Sequence, residues 1–440
     1  MGTRLRWGFG AAAVGIALVV ACGEDLVTPG DASDGGAPGD AAGGGDGAAP
    51  SPGSTSDGGP GASDGQASDA GGDADGNVPM VEELRLESQM VSFPGDAGTV
   101  AWFGTGVAID GDRAVVGASG EQAAYVFKRT GDVWGLEARL APKDGGGSFG
   151  AAVTIEGTTV LVGAPSRTQG KLGAGQVYDF RLESGSWVEK TRITRDCYAS
   201  GVGNPTCEGG AFGSAVQLVG GRAHISAPGE KKFTGVGVSP GFGAIYVFQP
   251  NGSGGFSAAS PRYAVDGSWD YSVATAMRTD GTTTLATCNG RCPHIVYLYD
   301  GQPPYLDGGS APSTLDISGD RFVLGESTGL RTYERSDDAG PFTKRELLST
   351  VASSVALRGD QLVIASNPPG DVGNVAVRAR DAGAWGMVKQ QAVGFDGGAS
   401  EALASLAWDG AWGVVAAAGA DGAAGRVFFF TLASRLVPAK

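Results

Sequence analysis

Side chains that commonly perform catalysis are scarce in this chain of 440 residues. It has two histidines, and only 18% of its residues are charged. Histidine is the side chain whose ordinary pKa suits proton transfer near neutral pH, and His224 falls in a predicted strand with no serine or cysteine pattern to partner it. We therefore predict no catalytic residues, and we expect that the protein is not an enzyme.

An excess of basic residues is also lacking. The formal net charge is −15, and the segment from Gly23 to Pro79 contributes eleven acidic residues with no lysine or arginine. Outside this segment and the first 22 residues, 36 acidic residues accompany 30 basic ones, a net charge of −6. Because proteins that bind nucleic acids concentrate positive charge on one face, we do not predict nucleic acid as a partner.

The one long apolar run lies near the N-terminus, over residues 9–20, and follows Arg4 and Arg6. A transmembrane helix needs roughly 20 apolar residues, so this shorter run fits the core of a signal peptide. It leads into Val19-Val20-Ala21-Cys22, which resembles the lipobox of bacterial lipoproteins. The resemblance implies a signal peptide over residues 1–21 and a lipid on Cys22. An ordinary cleaved signal beside a chance cysteine is the alternative.

Lipid on Cys22 would anchor an exported protein to a membrane, since each buried methylene of an acyl chain contributes about 0.8 kcal/mol. Gly23, the next residue, indicates the outer membrane or the cell surface. Residues 22–79 are mostly Gly, Ala, Asp, Ser and Pro. A segment with so few bulky apolar side chains cannot offset the entropy cost of ordering, so we predict a disordered stalk.

Residues 80–440 contain a unit of short strands that recurs every 40 to 60 residues or so, a period typical of repeat architectures. Asp-Gly and Gly-Gly pairs separate the strands, as expected for tight hairpin turns. Three units share a Phe-Gly pair near the start and a small-residue motif near the middle. They are Phe103-Gly104 with Gly117-Ala118, Phe149-Gly150 with Gly163-Ala164-Pro165, and Phe212-Gly213 with Ala227-Pro228. Most units also place an aromatic residue after a late glycine, as in Gly131 and Trp134.

These motifs resemble the FG-GAP repeat, the blade of the integrin α-chain propeller. The resemblance covers residues 103–256, and four later units follow by strand rhythm alone. It implies an all-β fold, a single seven-bladed β-propeller over residues 80–440, in which each blade packs on its neighbours. The segment Glu82–Leu86, similar to Leu136–Leu140, would supply the outer strand of the first blade. Six or eight blades, or a pair of β-sandwiches, are the alternatives.

Four cysteines remain beside Cys22, and they form two local groups: Cys197 with Cys207, and Cys288 with Cys292. An even number of cysteines in an exported chain predicts disulfides, and local pairing is the simplest of the three connectivities. Zinc is not predicted, because no histidine has ligand spacing to both groups.

Two further motifs predict turns and no sites. Gly145–Gly150 satisfies G-x-G-x-x-G, but a strand follows it where a dinucleotide site needs a helix. Arg358-Gly359-Asp360 spells a tripeptide that integrins bind, yet its Gly-Asp recurs as a hairpin turn elsewhere. Integrin propellers bind calcium through an Asp-x-Asp-x-Asp-Gly-like hairpin that the predicted hairpins here lack. We predict no metal or other cofactor, and calcium stays an open question.

The function that these observations favour is binding: a monomeric β-propeller held away from a membrane, which presents loops to a protein or glycan. Rigid strands with variable loops at their ends commonly carry binding sites. The longest inserts, around Cys197–Cys207 and Phe233–Phe242, are the predicted location. One alternative is a hydrolase with a carboxylate pair in the central funnel, and the other is a purely structural envelope component.

Overall fold

The computed structural model describes fourteen stretches of the chain: residues 80–95, 101–168, 173–195, 209–230, 243–257, 261–263, 272–289, 295–298, 305–306, 312–336, 341–367, 373–392, 402–418 and 425–438. Regular structure in these stretches is entirely β. Among them, no helix is long and apolar enough to cross a membrane. The predicted signal peptide (1–21), Cys22 and the stalk (22–79) lie outside the described residues.

The described strands form seven four-stranded sheets, and six of these each take four consecutive strands. Sheet I contains β2 (Phe103–Asp110), β3 (Arg113–Ala118), β4 (Ala123–Thr130) and β5 (Val133–Leu140). Sheet II contains β6 (Ala152–Glu156), β7 (Thr159–Ala164), β8 (Gln176–Glu183) and β9 (Ser186–Ile193). Sheet III contains β10 (Val216–Val219), β11 (Arg222–Ala227), β12 (Ala244–Phe248) and β13 (Pro261–Tyr263).

The later sheets repeat this order. Sheet IV contains β14 (Ser272–Thr279), β15 (Thr284–Asn289), β16 (Ile295–Leu298) and β17 (Tyr305–Leu306). Sheet V contains β18 (Thr314–Ser318), β19 (Arg321–Glu326), β20 (Gly329–Glu334) and β21 (Thr343–Leu348). Sheet VI contains β22 (Ser354–Arg358), β23 (Gln361–Ser366), β24 (Asn374–Asp381) and β25 (Ala384–Ala392). Sheet VII contains β26 (Ala402–Trp408), β27 (Trp412–Ala418), β28 (Arg426–Pro438) and, from the other end of the chain, β1 (Met80–Ser92).

Strand β1 corrects one detail of the sequence-based assignment. The segment Glu82–Leu86 is an outer strand, as predicted, but it pairs with β28 and completes sheet VII. Sheet I already has its own outer strand, β5, which contains Leu136–Leu140. Pairing between the first and last strands joins the two ends of the domain within one sheet, so that sheet VII depends on both.

The first strands of successive sheets contact one another, from β2 through β6, β10, β14, β18 and β22 to β26, and β26 contacts β2. The buried apolar side chains lie between the sheets. Six described clusters each combine residues from two neighbouring sheets. A single sheet of this kind exposes both faces, and stacking buries them. The prediction of an all-β propeller is confirmed.

The first strand of each sheet has one edge that no described strand pairs with. Polar side chains of the preceding sheet accept hydrogen bonds from backbone amides along this edge. Thr154 Oγ1 accepts a hydrogen bond from the Leu218 amide at 3.1 Å, and Asp316 Oδ2 accepts one from Leu357 at 2.7 Å. A buried amide without a partner would cost about 1–3 kcal/mol. These side chains therefore satisfy the inner edge and join neighbouring sheets.

Candidate functional site

The connections between strands divide into two faces with different character. Connections from first to second and from third to fourth strands form the turn face, and most of its described turns are short, such as Gly111–Asp112 and Gly157–Thr158. Connections from second to third strands and from one sheet to the next form the loop face. Both predicted inserts fall there: residues 196–208 connect β9 to β10, and residues 231–242 connect β11 to β12.

The described residues that flank the two inserts are held together by a buried ion pair. Arg195 directly precedes the first insert and Glu230 directly precedes the second, and Arg195 Nε lies 2.6 Å from Glu230 Oε2. Their side chains are only 2% and 5% exposed. Arg195 also donates a hydrogen bond to the Ala174 carbonyl at 2.6 Å and lies over the ring of Phe212. One guanidinium thus connects three chain segments of the loop face.

Backbone hydrogen bonds reinforce this arrangement, which we call the insert base (Gly173–Ala174, Arg195, Gly209–Phe212, Gly229–Glu230 and Gly243). The amides of Ala211 and Phe212 bind the carbonyls of Gly173 and Ala174, the Gly229 amide binds Gly210, and the Gly243 amide binds Glu230. At Gly210 an added Cβ would lie 1.9 Å from the Arg195 guanidinium. A side chain at this position would therefore have to displace the buried guanidinium, which occupies the space that glycine leaves.

Burial dominates the electrostatics of the insert base. It raises the pKa of Glu230, while the charge of Arg195 and hydrogen bonds from Tyr246 and Arg195 oppose the rise. An ionised carboxylate in a low-dielectric site needs such partners, because an unpaired buried charge is strongly destabilising. The ion pair therefore fixes the residues that precede the two inserts next to each other.

A more exposed version of the same arrangement occurs in sheet I. The Tyr125 hydroxyl donates to Glu121 at 2.5 Å, and Arg139 forms an ion pair with Glu121 at 2.8 Å. Burial and the Glu121 carboxylate raise the pKa of Tyr125 to about 12, so the hydroxyl stays protonated and remains a donor. Carboxylate, tyrosine and arginine thus recur on the loop face, and in sheet III the carboxylate and the arginine are buried.

The Phe-Gly motifs are structural, and each phenylalanine is buried. Phe103, Phe149 and Phe212 are each 0% exposed. Each ring packs edge-to-face on the tyrosine of the third strand, and the three centroid distances are 5.7, 5.1 and 5.4 Å. Such geometry adds about 0.5–1.5 kcal/mol to the burial of the rings. The motif residues therefore form the sheet interior and are unavailable to a ligand.

The two glycines of the repeat pack against each other across neighbouring sheets. A Cβ added to Gly117 would lie 2.0 Å from the Gly150 carbonyl oxygen, and one added to Gly163 would lie 2.1 Å from that of Gly213. The Phe-Gly glycines Gly150 and Gly213 also have positive φ angles of 94° and 91°. The motif therefore encodes close contact between one sheet and the next.

A family model described as FG-GAP repeat matches residues 89–127 and 134–180. No curated protein matches the chain. Together with the packing of the Phe-Gly residues, the match decides the repeat type. The chain contains FG-GAP repeats. Both matched segments begin in an outer strand and end in the third strand of the following sheet, so the FG-GAP sequence repeat is offset by one strand from the four-stranded sheet.

The FG-GAP pattern weakens where its packing partner changes. In sheet III, Ser226 occupies the position of Gly163 in sheet II, and the next unit has Tyr271-Ser272 in place of Phe-Gly. In sheet II the Phe-Gly turn of the next sheet packs directly on Gly163. The side chain of Ser226 occupies the equivalent space in sheet III. Both halves of the motif are therefore replaced at the same junction.

The predicted disulfides stay predictions. Cys197, Cys207 and Cys292 lie outside the described residues, and so does the side chain of Cys288, whose backbone belongs to β15. Arg195 and Gly209, which flank the first cysteine group, both belong to the insert base. A bridge between Cys197 and Cys207 would therefore close a loop whose ends are already fixed.

The remaining motifs have the predicted local structure. Gly359 has a φ of 54° in the turn between β22 and β23, and Asp360 pairs with Arg321 at 3.0 Å. Residues 145–150 form the connection before β6, and the strand over Ala152–Glu156 follows as expected. His224 is buried in β11, between neighbouring strands. These motifs are turns and core positions of the FG-GAP fold.

One first strand, β18, carries a carboxylate with two arginine neighbours. Asp316 in β18 lies 3.3 Å from Arg358 and 3.8 Å from Arg278, which belong to the two adjacent sheets. The same carboxylate accepts a hydrogen bond from the Leu357 amide, so its contacts join three neighbouring sheets. Within the described part of the chain, no group of three or more potential metal-ligating side chains is present.

Sequence reasoning found the location of the inserts but missed the insert base. A local signal was present: Glu121 and Glu230 each follow Ala-x-Gly at the end of a second strand, four and sixteen residues before a third-strand tyrosine. The partner of Glu230, Arg195, comes from the connection that follows the preceding sheet, and its position depends on how the sheets stack. No spacing within one repeat could therefore identify this pair.

Proposed function

We propose that this protein is a lipid-anchored surface protein whose FG-GAP propeller binds a protein or a glycan through the loop face. Cys22 carries the lipid, the stalk holds the propeller away from the outer membrane or cell surface, and the chain acts as a monomer. Sheets I–VII act as seven blades of one closed disc. The protein works by binding instead of catalysis and needs no cofactor.

The insert base is the observation that supports this proposal. Ordering long loops at the moment of binding lowers affinity, and fixing their ends beforehand reduces that cost. The ion pair of Arg195 with Glu230 ties together the starts of both long inserts at 2.6 Å. A fold that only needed stability would gain little from placing a buried charge pair at this point, because such pairs are costly to desolvate.

A glycan and surface-protein array tests the binding function. We expect the purified propeller to bind at least one component, and we expect a variant with residues 196–208 replaced by a short Gly-Ser linker to lose that binding. Replacing the turn-face pair Gly131–Asp132 with Asn-Gly is the matched control and should leave binding unchanged. Absence of any binding, or binding that persists without either insert, would refute the proposal.

Metabolic labelling with a palmitate analogue tests the anchor. We expect label on the full chain and partition into detergent, and we expect Cys22→Ala to abolish both, because one lipidated cysteine is the proposed attachment. An unlabelled wild-type chain that is released in soluble form would rule out the anchor, while the binding function would still stand.

A further inference from the structure

Strand β1 enters the propeller from the turn face and runs toward the loop face. The Gln89 side chain bonds to the backbone of Trp134, which lies near the turn between β4 and β5. Further along the chain, the ring of Phe93 packs on Phe103 and Tyr125 at the loop-face end of sheet I, with centroid distances of 5.5 and 5.7 Å. The chain that precedes β1 is therefore joined to the turn-face end of this strand.

The two strands that close sheet VII are longer than their counterparts. β1 and β28 each have 13 residues, whereas the longest of the other described outer strands, β25, has 9 and the other third strands have at most 8. β28 runs from the loop face to the turn face, and residues 432–438 continue past Thr431, the last residue that pairs with β27. Closing the sheet requires only strands of ordinary length, so the extension calls for another explanation.

Gln89 fixes β1 to the next sheet by two hydrogen bonds. Its Nε2 donates to the Trp134 carbonyl at 2.8 Å, and its Oε1 accepts from the Trp134 amide at 2.7 Å. At the corresponding position between sheets V and VI, Glu346 in β21 accepts one hydrogen bond from the Trp385 amide at 3.1 Å. An ionised carboxylate can only accept, whereas a side-chain amide both donates and accepts. Strand β1 is therefore held to its neighbouring sheet more firmly than β21.

Phe93 provides a second point of attachment, at the loop-face end of β1. Its ring meets Tyr125 edge-to-face, at an interplanar angle of 85°, and lies tilted against Phe103. Both partner side chains are buried. Aromatic pairs of this kind attract each other beyond the burial of their area. A pull on β1 toward the turn face must therefore draw the Phe93 ring out of this cluster.

We propose that β1 is a strap that carries tension from the lipid anchor into the propeller. This inference rests on the proposed function, in which the anchor pulls on the turn-face end of β1 while a ligand holds the loop face. Such a load acts along the strand, so the hydrogen bonds between β1 and β28 share the force and must break together. Gln89 and Phe93 add to the resistance, because β1 cannot slide until both have released.

The same pairing should resist force poorly in another direction. Because β1 begins and β28 ends at the turn face, a force that pulls the two ends of the chain apart opens their hydrogen bonds one at a time. Forced unfolding is governed by the height of the unfolding barrier, and breaking one bond at a time lowers that barrier. The strap therefore predicts a long lifetime under load along β1 and a short one under load across it.

Magnetic tweezers test the proposal on the full chain, with one handle at Cys22 in place of the lipid. The second handle is attached either beside Lys143, which is exposed on the loop face between β5 and β6, or at Lys440. At one constant force, we expect β1 to be released at least tenfold more slowly with the loop-face handle than with the C-terminal handle. A tenfold difference in rate corresponds to about 1.4 kcal/mol in the barrier. The length gained in each step identifies the release of β1.

Gln89→Ala should shorten the lifetime of β1 about tenfold with the loop-face handle, because both bonds to Trp134 are lost from a barrier that breaks them together. The effect should be much smaller with the C-terminal handle, whereas a general loss of stability would shorten both lifetimes alike. Glu346→Ala is the matched control and should leave the release of β1 unchanged.

Equal lifetimes of β1 in the two pulling directions would overturn the strap, and so would an equal effect of Gln89→Ala in both. The handles replace the lipid and the ligand, so this outcome does not depend on whether Cys22 is lipidated or the loop face binds. Palmitate labelling decides the anchor separately, and an unlabelled chain would remove the proposed source of tension.

Discussion

The turn face and the loop face of this propeller are built from the same repeats but are held together in different ways. On the turn face, hydrogen bonds from one turn to the next are exposed, as between Gly157 and Asp110 at 2.6 Å. On the loop face, a buried ion pair and close contacts between glycines join the segments. The comparison shows that a repeat can keep one end of each blade simple while the other end gains inserts.

Breaking the buried ion pair should have the largest effect. We expect Arg195→Ala to lower the free energy of unfolding by about 3–5 kcal/mol, because it leaves the buried Glu230 without its cationic partner. Arg113→Ala, near the turn face, should cost only about 1–2 kcal/mol, because Glu137 is partly exposed and keeps the Trp187 indole. Chemical denaturation measured by tryptophan fluorescence checks both values. Equal losses would show that the two faces do not differ in this respect.

Glycine substitutions should also destabilise the protein more on the loop face than on the turn face. Gly150→Ala forces a Cβ within 2.2 Å of the Ala123 carbonyl and also meets a positive φ, so we expect a loss of roughly 2–4 kcal/mol from overpacking and backbone strain together. Gly157→Ala on the turn face has a φ of 57° and open space around it, so about 1 kcal/mol is expected from the backbone alone. Thermal unfolding of the two variants measures the difference, and a Gly157→Ala variant as unstable as Gly150→Ala would contradict it.

A smaller difference in the free energy of unfolding is expected between variants that remove a buried and an exposed hydrogen bond between neighbouring sheets. Thr154→Val keeps the side-chain shape but removes the acceptor of the buried Leu218 amide, which should cost about 1–3 kcal/mol. Asp110→Ala removes an exposed acceptor of the Gly157 amide, which water can replace, so a change within about 0.5 kcal/mol is expected. Thr154→Ser retains the hydroxyl and serves as the control. A neutral Thr154→Val variant would mean that this inner-edge bond contributes little.

The sequence predicted the parts of the fold that repeat and missed the parts that arise from stacking. Phe103, Phe149 and Phe212 recur at fixed positions, so the all-β repeat could be recognised from them. The segment Glu82–Leu86 was predicted to complete the first sheet but pairs with β28, because its resemblance to β5 identifies an outer strand without indicating which sheet it joins. The ion pair of Arg195 with Glu230 joins residues from different sheets, and no pattern within a single unit encodes their distance.

The two faces should also respond to pH with opposite sign. Burial favours the protonated form of Glu137, but hydrogen bonds from Arg113 and Trp187 outweigh it and hold the pKa of Glu137 below its ordinary value of 4.5. Glu137 therefore contributes stability above that value, and the contribution is lost as pH falls through its lowered pKa. Burial raises the pKa of Glu230, so its contribution is present below 4.5 and is lost as pH rises through the raised pKa. Acidification from pH 7 to pH 4 should thus destabilise Glu137→Gln less than the wild type, and Glu230→Gln more. Melting temperatures of the three proteins across that range test both signs, and a shift of both variants in one direction would show that the two carboxylates share one environment.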